Sequence, residues 1–108
     1  MEFKIESNYM MIFVFDSINL YTSDRVKSEI LQLVERESPV NVVLNLEKVP
    51  YIDSSGIVAL NHIQRKIKAI HKNLFLYKLE ESIHFALKLA GLKSLLSMIL
   101  STEELENL

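Results

Sequence analysis

The run Val40-Asn41-Val42-Val43-Leu44-Asn45-Leu46 is largely apolar on both faces and rich in β-branched residues. Such a segment belongs at the centre of a sheet covered on both sides. A few residues later comes a polar stretch, Asp53-Ser54-Ser55-Gly56. It is followed by apolar residues at helical spacing, Ile57, Leu60, Ile63, Ile67 and Ile70, with Gln64, Arg65, Lys66 and Lys68 expected on the wet side. A buried strand feeding a polar loop and then a helix restricts the chain to folds with strand–helix alternation. In such folds the strand end is rigid, and the helix start offers unpaired N–H groups and a positive dipole end.

The other segments fall around this unit. Phe3 and Ile5 alternate with Glu2, Lys4 and Glu6, which predicts a first strand with one wet face. Ser7-Asn8 is the turn, and Met10 to Phe15 the second, more buried strand of a hairpin. Asp16-Ser17-Ile18-Asn19 breaks that run, and Thr22, Ser23 and Asp24 are helix N-cap types. Val26, Ile30, Leu33 and Val34 make one apolar stripe, and Ser38-Pro39 ends the helix.

Leu74 to Tyr77 predicts another short buried strand, and Glu80-Glu81-Ser82 opens a third helix packed through Ile83, Phe85, Ala86, Leu87 and Leu89. Gly91 suits its C-terminal cap. Leu95 to Leu100 reads as a last strand, and Ser101-Thr102-Glu103-Glu104 as the start of a terminal helix. The expected architecture is α/β, a mixed sheet in which an N-terminal hairpin joins parallel strands, with about four helices in a single domain over 1–108.

Composition narrows the chemistry. The 108 residues suit one domain, and 49% hydrophobic against 24% charged residues is the balance of a folded globular chain. A net charge of −2 with no Lys/Arg block gives no footprint for nucleic acid phosphates. The absence of Cys removes disulfides, thiolate metal sites and thiol catalysis. The first residues lack the basic start and apolar core of a signal peptide, and no run approaches the roughly 20 apolar residues that span a bilayer. These features predict a cytoplasmic protein with no membrane association. His62, His71 and His84 form no His-x-x-x-His or Glu-x-x-His pair, so no metal is expected. Two glycines cannot build a phosphate-binding loop, and Asp53-Ser54-Ser55-Gly56 is not a Gly-x-Ser-x-Gly nucleophile elbow. No cofactor and no catalytic residue are expected.

Asp53-Ser54-Ser55-Gly56 admits two readings. Asp53 or Ser54 caps the following helix and does nothing more. Alternatively, Ser54 is a regulatory phosphoacceptor. A phosphate there adds about −1.5 to −2 charges, which a helix start tolerates and an apolar or acidic partner surface does not.

The stretch Val42-Val43-Leu44-Asn45-Leu46-Glu47-Lys48-Val49-Pro50-Tyr51-Ile52-Asp53-Ser54-Ser55-Gly56 resembles the signature of the STAS domain family, specifically the bacterial anti-sigma factor antagonists. The resemblance extends over the whole order of elements. It implies that Ser54 is phosphorylated by an anti-sigma factor that is also a serine kinase. The unphosphorylated chain would bind that kinase and free a sigma factor, and a PP2C-type serine phosphatase would reset the switch. Asp53, Ser54, Ser55 and Gly56 would then form the partner-binding loop, joined by Asn19 and Thr22. Two features depart from many relatives: Asp16 stands for a Gly and Asn19 for an Asp, and Ile57-Val58-Ala59-Leu60 replaces a Gly-rich helix start. The resemblance also allows a non-catalytic scaffold subunit of a stressosome-type or lipid-transport complex. Either role suits a monomer or weak dimer without enzymatic activity.

Overall fold

The computed structural model describes all 108 residues. Five strands form one sheet in the order β1-β2-β3-β4-β5: β1 (Glu2–Ile5), β2 (Met10–Phe13), β3 (Asn41–Asn45), β4 (Asn73–Tyr77) and β5 (Ile99–Leu100). The β1–β2 hairpin is antiparallel and the remaining pairs are parallel. The helices are α1 (Ser23–Glu37), α2 (Ser54–Ala69), α3 (Glu81–Leu89), α4 (Lys93–Leu96) and α5 (Thr102–Glu106).

The expected mixed sheet is observed, with the continuous apolar run, β3, at its centre. Met10, Ile12, Val42, Leu44, Leu74 and Leu76 turn one face towards Val26, Ile30 and Val34 of α1 and Leu60, Ile63 and Ile67 of α2. Full burial of each such side chain contributes about 1.5–3 kcal/mol. The opposite face is smaller. Met11, Val43 and Tyr77 pack there against Leu105 of α5. A Ser101–Glu104 capping box and a 2.9 Å hydrogen bond between the Tyr77 and Thr102 hydroxyls hold α5 in place.

The structure corrects several local expectations. The Leu95–Leu100 segment is not one strand. Its start belongs to α4, a fifth helix, and only Ile99 and Leu100 pair, beside Leu76 and Tyr77. Gly91, at φ +70, turns the chain there, and Leu95 is drawn into the core. Gln64 is only 5% exposed, and its carbonyl is satisfied by the Ser94 hydroxyl of α4 at 3.2 Å. Phe85 and Leu89 are exposed, since only Ile83 and Leu87 of α3 reach the core. Ile70 ends α2 on the surface, and Val40 and Phe15 lie outside their strands. Ile70, Val40 and Phe15 lie at an element's end, where no neighbour covers the face their spacing assigns.

Candidate functional site

Two segments meet where β2 and β3 give way to loops. Ile18 and Ile52 form an isolated parallel bridge. The Ile18 N–H donates to the Tyr51 carbonyl at 3.1 Å, and the Asp53 N–H donates to the Ile18 carbonyl at 3.2 Å. The residues from Asn19 to Thr22 are thereby held beside Asp53 to Gly56. All six residues expected at the site lie in these two joined loops.

Asp53 is the hub. Its Oδ1 accepts the Gly56 N–H at 3.0 Å, which makes it the N-cap of α2. Its Oδ2 accepts the Leu20 N–H, also at 3.0 Å. One carboxylate therefore caps the helix and ties the two loops. Gly56 is buried against the Ile18 carbonyl and the Ile52 side chain; a Cβ at this position would overlap both. Its part in the fold is the close approach of the two loops.

Asn19 and Thr22 stabilise the first loop. The Asn19 Oδ1 accepts the N–H groups of Tyr21 at 2.9 Å and Thr22 at 3.1 Å. The Thr22 hydroxyl accepts the Asn19 N–H at 3.0 Å and donates to the Ser17 carbonyl at 2.6 Å. Thr22 occupies the N-cap position of α1 but makes no side-chain capping bond. A neutral amide thus serves the loop. Asp16 is matched by Arg25 at 2.8 Å, and Arg25 also reaches Glu29 at 3.5 Å. The hydrogen bond to Asp16 is the leading cause holding the Arg25 guanidinium further in its charged form, against some desolvation. Both partners are exposed, so the pair adds little to stability.

Ser54 is the exposed first residue of α2, and the loop's side-chain bonds are carried by Asp53 instead. The Gly56 and Ile57 N–H groups are taken by Asp53, which leaves the first-turn amides of Ser54 and Ser55 free. Ser55 is half-buried.

Beside Ser54 lie Leu20 and Val58, apolar side chains not expected at the site from spacing, and Tyr21 and Tyr51 flank them on the adjoining loops. Leu20, Tyr21, Tyr51 and Val58 are all exposed; Tyr21 is 91% and Val58 67% exposed. Leu20, Lys27, Ser54, Ser55, Val58 and His62 line an open depression of about 370 Å³. The signal was available in part. Leu20-Tyr21 is an apolar pair inside a polar loop, and Val58 lies off the apolar stripe of its helix. Spacing alone does not reveal that the fold brings them to one place.

Solved structures share this architecture. A Thermotoga maritima protein provisionally assigned as an anti-sigma factor antagonist matches with a TM-score of 0.84 at 17% identity, covering 98% of this chain and 91% of that one. The unphosphorylated anti-sigma factor antagonist SpoIIAA matches at 0.76 with 15% identity, covering 98% and 92%. A sulfate transporter family protein from Wolinella succinogenes matches at 0.73 with 21% identity, covering 89% and 79%. At such identities the likeness is one of fold. The model of the STAS domain matches residues 1–105, and the chain belongs to the STAS domain family.

Proposed function

We propose that this chain is an anti-sigma factor antagonist switched by phosphorylation of Ser54. The observation that carries the reading is the exposed Ser54 at the start of α2, in one depression with exposed Leu20 and Val58, while Tyr21 and Tyr51 are exposed on the two adjoining loops. Exposed aromatic and aliphatic side chains around one polar centre are the composition of a protein-docking patch. Unphosphorylated, the patch binds an anti-sigma factor that is also a serine kinase, and a sigma factor is released.

In the kinase complex the Ser54 Oγ attacks the γ-phosphorus of ATP. The Oγ–P bond forms, the bond to the β-phosphate oxygen breaks, ADP leaves, and a kinase base takes the hydroxyl proton. The product carries about −1.5 to −2 charges beside exposed Leu20 and Val58. The free Ser54 and Ser55 amides and the α2 dipole let the fold accept that charge. The docked partner must desolvate it, so the complex dissociates. A PP2C-type phosphatase restores the hydroxyl. The chain is acted upon and catalyses nothing.

The test is incubation with the cognate kinase and ATP, followed by mass spectrometry, alongside a pull-down with wild-type and Ser54→Asp bait. One phosphate on Ser54 and capture of a kinase-fold partner by wild type alone are expected. An unmodified Ser54 together with equal capture by both baits would overturn the reading. Capture of a transporter ATPase or a large sensor assembly would favour the scaffold role instead.

A further inference from the structure

The outer edge of β1 is unpaired within this chain. The Glu6 N–H donates to the Tyr9 carbonyl at 2.8 Å, and the β1–β2 register pairs Lys4 with Met11 and Glu2 with Phe13. Hydrogen-bonded pairs alternate in an antiparallel ladder, so Glu2, Lys4 and Glu6 bond inward to β2. Phe3 and Ile5 therefore point their N–H and C=O groups outward. Ile5 is 58% and Met1 42% exposed, although both are large and apolar. An edge of this kind is a template for another strand.

We infer that β1 pairs with β1 of a second copy, antiparallel and centred on Phe3. In this register Phe3 faces Phe3 of the other copy, Ile5 faces Met1, and Glu2 faces Lys4 twice over. The Glu2–Lys4 positions are non-hydrogen-bonded pairs, where side chains approach most closely and opposite charges favour pairing. Moving the centre by one residue, to Lys4, sets Lys4 against Lys4 and Glu2 against Glu6, which like charges disfavour. A short charged edge ordinarily blocks pairing. Here the signs alternate so that a twofold axis converts repulsion into attraction, which selects a second copy over an unrelated strand.

The two five-stranded sheets become one continuous sheet, with α1 and α2 of both copies on one face and α5 of both on the other. The twofold axis stands perpendicular to the sheet and reverses the direction of β2 and β3. The two Ser54 loops then lie at opposite ends, each open to its own partner. A four-residue strand covers far less than the 1,200–2,000 Å² of a standard interface, so association is weak and reversible.

Sedimentation velocity across the micromolar to millimolar range tests this. Wild type is expected to pass from monomer to dimer, with the Phe3 and Ile5 amides gaining protection from hydrogen exchange. Glu2→Lys sets Lys against Lys, and Lys4→Glu sets Glu against Glu, so each variant alone stays monomeric while circular dichroism shows the fold intact. Mixed in equal amounts, the two variants regain opposite charges at both positions and form a heterodimer. A wild type that stays monomeric, a Glu2→Lys variant that dimerises as wild type does, or a mixture that stays monomeric would each overturn the inference.

Discussion

Asp53 accepts the Leu20 amide across 33 residues of sequence, at 3.0 Å, with the oxygen that the helix cap leaves over. The cap and the loop tie are therefore one interaction. The bland reading of Asp53 as a cap and the sharper reading of the loop as a binding surface are not competitors, because the carboxylate that caps α2 with one oxygen holds Leu20 with the other.

Asp53→Ala removes both bonds and leaves the Leu20 and Gly56 amides to water. A lost N-cap alone costs about 1–2 kcal/mol. Urea denaturation is expected to show at least that loss. Partner binding should fall further than the loss of folded protein explains, because Leu20 is no longer held at the patch.

Gly56→Ala places a methyl group into the Ile18 carbonyl, a backbone atom that cannot swing aside. Overpacking of this kind costs about 1–3 kcal/mol. The expected outcome is a lower denaturation midpoint with an unchanged slope. A variant as stable as wild type would show that the two loops separate readily.

Ser54→Ala removes an exposed hydroxyl whose loss breaks none of the loop's side-chain bonds. Its stability should stay within about 0.5 kcal/mol of wild type. It should also bind the kinase and resist release by ATP, read by surface plasmon resonance with and without nucleotide.

Val58→Glu and Tyr21→Ala replace exposed residues, one in the Ser54 depression and one in the adjoining loop, and leave the core unchanged. Each should leave the melting temperature nearly unchanged and weaken kinase binding by about tenfold or more, the scale of a buried hot-spot residue. Wild-type affinity in both variants would move the docking surface elsewhere on the molecule.

The α5 cap supplies a pH test. The Ser101 N–H donates to Glu104 Oε1 at 3.0 Å, and the Ser101 backbone and side-chain bonds lower the Glu104 carboxyl below its ordinary 4.5. A depressed carboxyl contributes its stabilisation fully above the unfolded value and loses it as pH falls through the folded one. An NMR titration should show the Ser101 amide shifting with a midpoint below 4.5, and Glu104→Gln should abolish that transition.

Period and residue type alone marked the β1–β2 hairpin, β3 between covered faces, the α1 and α2 stripes, and the loop at Asp53, because each rests on contacts within one element or between chain neighbours. The same local signals misplaced Gln64, Phe85 and Leu89, and merged α4 with β5. Those outcomes depend on which elements cross, and spacing along one helix carries no record of its neighbours. The candidate site divides in the same way. Asp53-Ser54-Ser55-Gly56 announces a polar loop before a helix in any chain. Only the tertiary structure brings Leu20 beside Ser54 and Val58, because the Ile18–Ile52 bridge and the Asp53–Leu20 bond join segments more than thirty residues apart.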